Sequence, residues 1–192
     1  LIPDNDFNQI PDVPRSSVAE VYDQVISDLD IAISLLNGSD DTGTMNYWAA
    51  LSLRARVNLY RQAYDQAFAD ADSVIMRSPF VLESDLSDVF STIEASSESI
   101  FEVEFNEQDQ SDYNTFLFRR DEYNVDPSLL ESFEEGDIRA TFFTNLRGRD
   151  RTTKYSDNTN ANNAKIFRLA ELYLIRSEAG VFASGDPNAG TA

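Results

Sequence analysis

The chain has no cysteine and no histidine. Without cysteine there is no disulfide framework, no thiolate metal site and no thiol nucleophile; without histidine the commonest general base and the commonest zinc ligand are missing as well. A Ser, His and Asp triad is therefore impossible, and much of ordinary hydrolytic chemistry is closed off. Basic residues are scarce: 15 against 34 acidic ones leave a formal charge of −19. That charge repels phosphate backbones and anionic lipid surfaces and argues against nucleic acid as a partner. No apolar run reaches the ~18 residues needed to span a bilayer, and Leu1 to Phe7 lacks a positive n-region followed by an apolar h-region. Nor is there a Gly-rich phosphate loop. The chain opens without methionine and closes on the turn residues Gly185-Asp186-Pro187-Asn188-Ala189-Gly190, so both ends are expected to be cuts, with any anchor lying upstream.

What is present reads as a single, mostly α domain. At 192 residues a folded chain buries roughly 70% of its unfolded surface, enough for a real core. Pro3, Pro11 and Pro14 predict an extended start over residues 1 to 15. Ser16 or Ser17 can then cap a helix with Glu20 in its first turn, and Val18, Val21, Val25, Leu29, Ile33 and Leu36 make its apolar stripe up to Asn37-Gly38. Thr44 or Asn46 caps a second helix, Tyr47 to Arg61, whose two apolar faces predict neighbours on both sides. A break at Gln62-Ala63 precedes a third helix, Tyr64 to about Met76.

From Ala55, the small residues Ala67, Ala71 and Val74 lie twelve, sixteen and nineteen positions on, and Pro79 lies at twenty-four. These offsets match a tetratricopeptide hairpin of about 34 residues, although Arg54 stands where leucine is usual. An ordinary helical hairpin fits the same pattern. Beyond Pro79 the period changes. Ile100-Phe101-Glu102-Val103-Glu104-Phe105 alternates, which predicts a short strand with Phe101, Val103 and Phe105 on one face and Glu102 and Glu104 solvated on the other. Residues 106 to 163 read as loop-rich, with short helices at Pro127 to Phe133 and Ile138 to Phe143, and a mobile polar loop from Asp157 to Asn163. A last helix with two apolar faces is expected from Ala164 to about Ala183.

Five segments in this order resemble the RagB/SusD family of nutrient-binding lipoproteins: VYDQVISDLDIAISLL from Val21, AALSLRARVNLYRQAYDQA from Ala49, IFEVEF from Ile100, Asp137-Ile138-Arg139, and FRLAELYLIRSEA from Phe167. The set spans about 160 residues of the chain. The resemblance implies tetratricopeptide-like helical hairpins with long loops and a short β-strand or hairpin: a hairpin core at 16–78, a strand and loop-rich insertion at 98–163 and a final helix at 164–183. It also implies a lipid-anchored protein of the outer-membrane surface that binds glycans or other nutrients and docks a SusC-like TonB-dependent barrel transporter. The family's lipidated amino-terminal cysteine and its Asn-x-x-Arg after the final helix are absent here, which fits truncation at both ends.

Several residues on this frame could carry chemistry. Glu102 and Glu104 would stand roughly 7 Å apart on one strand face, within reach of a two-carboxylate glycosidase arrangement, but neighbouring exposed positions do not provide the two unlike environments such a pair requires. Asp109, Asp112, Asp121, Asp126, Asp150 and Asp157 offer oxygen ligands that suit calcium, without the Asp-x-Asp-x-Asp-Gly spacing. Sugar binding asks for an aromatic ring flanked by planar polar groups. The run from Tyr113 to Asn124 has that composition, and Tyr113, Arg119, Arg120 and Tyr123 are its candidate ligand-binding residues. The bland alternative is that Phe116 and Phe118 plug the loop into the core as a second strand. Trp48 reads as core, Asp137 with Arg139 as a loop-fixing pair, and Arg168 with Glu171 as a surface or hairpin-locking pair. The expected function is a non-enzymatic, glycan-binding subunit of an importer; the alternatives are a tetratricopeptide-like scaffold for a peptide and a glycoside hydrolase or lyase.

Overall fold

The computed structural model describes residues 15–91, 95–120 and 123–186. The extended start through residue 14, Asp121 and the closing residues from 187 onward lie outside the described residues. Helix α1 (Val18–Leu35) begins at Ser17, whose hydroxyl accepts the Glu20 N–H while the Glu20 carboxylate accepts the Ser17 N–H, a reciprocal cap written in the sequence. Its stripe is only partly used. Leu29 is buried, whereas Val18 and Val21 stay exposed, because α1 packs chiefly on the single helix that follows.

Asn46 caps α2 (Tyr47–Tyr60), its side-chain oxygen accepting the Ala49 N–H. The Asn46 amide also donates to the carbonyls of Asp41 and Ile100, at 2.9 and 2.8 Å, so one fully buried side chain ties the helix start to the strand region. Gln62, with φ +63°, breaks the chain into α3 (Tyr64–Arg77), and Pro79 follows its end. Ala55, Ala67, Ala71 and Val74 are all wholly buried where α2 and α3 cross. Small side chains let the two backbones approach closely, so the tetratricopeptide-like hairpin read from the offsets is present.

Arg54, the departure from that pattern, has a purpose. Its guanidinium grips Asp70 of α3 through two bonds of 2.8 and 2.7 Å and reaches Asp30 of α1 at 2.6 Å, tying three helices together. Those carboxylates push the Arg54 pKa upward.

A short helix α4 (Leu86–Ser91) leads to strand β1 (Ser99–Val103). A π-helical turn (Asn114–Arg119), the short helix α5 (Pro127–Glu131) and a 3-10 turn (Ile138–Phe142) come next. Then follow the hairpin β2 (Phe143–Leu146) and β3 (Arg149–Thr152), strand β4 (Ala164–Arg168) and helix α6 (Leu169–Ser184). Arg147 and Gly148 close the hairpin with φ +55° and +79°, a primed turn matched to strand twist. Helix α6 packs chiefly on α3 and also on α2, completing a core of Leu51, Ala55, Ala71, Val74, Leu172 and Ala179. Trp48 lies at the margin of that core, partly buried.

Two expectations change at β4. The last helix starts at Leu169 and not at Ala164, because 164–168 pairs antiparallel with β1, Glu102 opposite Lys165 and Val103 opposite Ala164. Arg168 and Glu171, read as partners of one another, instead face different elements. Arg168 pairs with Glu98 at 2.9 Å, and Glu171 takes two bonds of 2.6 Å from Arg56 of α2, which also lies over the Phe167 ring.

Candidate ligand-binding face

The site is built on the β1–β4 pair, and its first surprise is which face of β1 looks inward. Ile100 and Glu102 are fully buried, while Val103 is exposed, the reverse of the alternation read from sequence. Glu102 can point inward because Lys165 opposite it closes to 2.6 Å, with 1% and 5% of the two side chains exposed. A buried carboxylate needs such a partner. Glu104 remains on the surface. The two carboxylates therefore share no open face, and the glycosidase-like pairing does not form.

Beyond β1, the segment 156–163 is packed and not a free polar loop. Asp157 takes hydrogen bonds from the Thr159 hydroxyl and from the N–H groups of Thr159 and Ala161. Asn163 accepts the Phe105 N–H at 2.9 Å, and the Asn160 carbonyl accepts the Ser111 N–H at 2.7 Å. Burial pushes the Asp157 carboxyl up, but these hydrogen bonds outweigh it and hold the group below the ordinary carboxylate range.

This segment separates two open concavities, and Asp157 lines both. One, of about 650 Å³, is walled by Phe105, Asn106, Gln108, Thr159 and Asn163. The other, of about 450 Å³, is walled by Ser87, Phe90, Phe142, Ser156, Asn158 and Asn162. A run of five rings joins them. Phe142 meets Phe90 edge-on at 5.4 Å, Phe90 meets Tyr155 at 6.2 Å, Tyr155 lies tilted on Tyr113 at 5.0 Å, and Tyr113 meets Phe105 at 6.2 Å. Half-burial raises the pKa of the Tyr155 hydroxyl, with a smaller opposing effect from a hydrogen bond to the Lys165 backbone.

No protein-family model and no curated protein matches the chain. Solved structures do. A SusD-superfamily protein of Bacteroides vulgatus is 30% identical, with a TM-score of 0.77 over 91% of this chain and 44% of its own. One from Bacteroides thetaiotaomicron is 27% identical, with a TM-score of 0.77 over 92% and 46%. A SusD-like carbohydrate-binding protein of Bacteroides vulgatus is 25% identical, with a TM-score of 0.75 over 92% and 42%. The chain is similar in fold to these SusD-superfamily proteins over about nine tenths of its length. It spans less than half the length of these relatives.

In this chain the four residues expected to bind ligand fall into separate places. Tyr113, 36% exposed, joins the aromatic run through Tyr155 and Phe105. Arg120 lies over the Phe116 ring at 4.8 Å and exposed Tyr123 meets the same ring edge-on at 6.5 Å, forming a second, smaller cluster. Arg119 is exposed at the end of the π-helical turn. The strand expected for Phe116 and Phe118 is overturned by that turn, whose end is held by buried Arg151: its guanidinium donates to the carbonyls of Phe118 and, at 2.9 Å, of Arg120.

Phe90, Phe142 and Tyr155 were missed. They stand 52 and 13 residues apart in the chain, so no local motif marks them; only the Asn-rich stretch after Tyr155 was a hint. Asp137 behaves as read, capping the 3-10 turn and pairing with Arg139 at 2.5 Å. Among the described residues no cluster of three acidic groups is placed to hold a metal ion. Asp126 caps α5 and Asp150 accepts from Asn145, so these two carboxylates serve their own turns.

Proposed function

We propose that this chain is part of a surface nutrient-binding protein that holds an oligosaccharide along the aromatic run between Phe142 and Phe105, without turning it over, and passes it to a TonB-dependent outer-membrane transporter. The observation that carries the reading is the five-ring run flanked by two open concavities whose walls mix Asn, Gln, Ser and Thr with the carboxylates of Glu104, Glu107 and Asp157. Rings can stack on the apolar faces of pyranoses, while amides and hydroxyls meet their hydroxyl groups. Relatives support it: one at 25% identity is a SusD-like carbohydrate-binding protein. Among proteins that share the fold at 20% and 21% identity, one is a laminarin-binding SusD-like protein and one was solved with xylogluco-oligosaccharide. Binding without hydrolysis accords with the lack of histidine and with Glu102 being neutralised by Lys165. The lipid anchor, the cell-surface location and the transporter partner rest on the family resemblance.

The test is calorimetric titration of the full-length protein with a panel of neutral and acidic oligosaccharides, repeated with Tyr113→Ala. We expect micromolar to millimolar binding, no product release, and a loss of about fivefold to tenfold in the variant, the scale of one aromatic contact. Absence of binding across the panel, or release of shortened glycan, would sink the reading. Recovery of a large barrel transporter with the native protein from solubilised outer membranes tests the delivery step; recovery of soluble peptide-bearing partners alone would favour a scaffold role.

A further inference from the structure

A further concavity, of about 470 Å³, shares no residue with the aromatic run or with the two hollows beside it. It lies where the loop between α1 and α2 meets the end of α3, and its volume is within the roughly 300–1,000 Å³ usual for small-ligand sites. Tyr47 and Trp48, the chain's one tryptophan, supply its rings; Asn37, Asp40 and Arg77 supply its polar groups. Local bonding fixes these walls. Gly38, at φ +86°, takes the chain off α1 in a conformation that favours glycine, the Ser39 carbonyl accepts the Tyr47 N–H at 3.2 Å, and the buried Asn46 amide holds the Asp41 carbonyl. Tyr47 meets Trp48 edge to face at 4.8 Å, so the two rings orient each other.

The polar groups here are uncommitted. Among the described residues, neither Arg77 nor Asp40 makes an ion pair or a side-chain hydrogen bond, with the other or with any third group. The charge of Arg77 suits the last turn of α3, but its guanidinium donors are unspent. The Trp48 indole N–H and the Tyr47 hydroxyl likewise bond no described protein group, and neither atom is sealed from solvent. An aromatic ring beside free planar donors and acceptors meets what a pyranose presents: an apolar C–H face, and neighbouring hydroxyls that a guanidinium or a carboxylate can hold in pairs. The two charges also select. An anion would meet Asp40 in a chain of charge −19 and a cation would meet Arg77, so the pair favours a neutral ligand. We propose that this concavity is a second carbohydrate site, taking a neutral pyranose unit with Trp48 against its ring and Asp40 and Arg77 on its hydroxyls. It stands on the helical half of the molecule and does not depend on the reading of the aromatic run.

The experiment follows Trp48 itself. The full-length protein is labelled with fluorotryptophan, the Trp48 resonance is assigned by its loss in Trp48→Phe, and the signal is titrated with cellohexaose, laminarihexaose, maltohexaose, hexagalacturonate and a neutral tripeptide. We expect a saturable shift with at least one of the neutral hexaoses, unchanged in Tyr113→Ala. Affinity should fall about tenfold or more in Arg77→Met and in Asp40→Ala, the scale of a lost hydrogen bond to a charged group. Both positions are exposed, so these variants should fold, as melting curves will verify, and Arg149→Gln on the β2–β3 hairpin should leave the affinity unchanged. No shift with any neutral hexaose, a tighter response to the uronate or the tripeptide, or affinity intact in Arg77→Met or in Asp40→Ala overturns the proposal. So does a shift that disappears in Tyr113→Ala, since the signal then originates at the aromatic run, whose own reading stands or falls by the calorimetric titration above.

Discussion

At the crossings of α2, α3 and α6, the side chains with no exposure are apolar and mostly small: Ala55, Ala67, Ala71, Val74 and Ala179, with Leu172 as the one large member. In the strand-and-loop half the largest fully buried side chains include, beside Ile100, the polar Glu102 facing Lys165, Asn46 bonded to the Ile100 carbonyl and Arg151 bonded to the Phe118 and Arg120 carbonyls. The helical half is thus held by close approach of backbones, where volume decides, and the strand-and-loop half by pairing of buried polar groups, where losing one partner strands the other. The difference explains how the proposed ligand face can sit on the second half. Polar groups committed to one another position loops without a continuous apolar core beneath them.

The sharpest break of this contrast is Lys165→Met, which leaves the Glu102 carboxylate buried without its cation. It should cost roughly 3–5 kcal/mol in urea unfolding at neutral pH, with most of the loss restored by Glu102→Met in the same chain. A single-variant cost below about 1 kcal/mol would mean that the pair is solvated and the contrast mistaken. In the helical half, Ala71→Leu should overpack the α2–α3 crossing by about 1–3 kcal/mol, while Leu at exposed Ala69 on the same helix should change stability by less than about 0.5 kcal/mol. Equal effects at the two positions would show that the crossing is loosely packed.

Smaller still is Ser17→Ala. Removing the hydroxyl that caps α1 should cost about 1 kcal/mol, seen as faster amide exchange in the first turn of α1 with little change elsewhere. The mildest test is acid. Because the Asp157 pKa is lowered on folding, its contribution is complete above the ordinary carboxylate value of about 3.9 and is lost as pH falls through the lowered one. The Ala161 amide resonance should hold steady from pH 7 to about 4.5 and move only below that; movement near pH 6 would contradict the hydrogen-bonded carboxylate.

The helices were legible because their signals are local. Ser17 with Glu20, Asn46, the Gln62-Ala63 break and the spacing of Ala55, Ala67, Ala71 and Val74 each speak within one or two helical turns or across one short loop. Of the proposed binding face, the sequence reading named Tyr113 alone as a ligand candidate. The other rings of the run come from α4, the residue pair after β1, the 3-10 turn and the segment after β3, and nothing within a window of sequence marks them as neighbours. Arg54 illustrates the middle ground: its departure from the hairpin pattern was visible, but its partners Asp30 and Asp70 lie 24 and 16 residues away.

By itself the sequence determined that this is a mostly helical, hairpin-based chain without cysteine or histidine chemistry, since capping, helical period and composition act over short range or over the whole. Only the tertiary structure decided that 164–168 is a strand and that Glu102 faces inward. The apolar pattern of Ala164 to Arg168 suits a helix equally well, and a buried charge is tolerated only where a partner far along the chain meets it. Long-range pairing chooses between such alternatives, and no single segment carries that information.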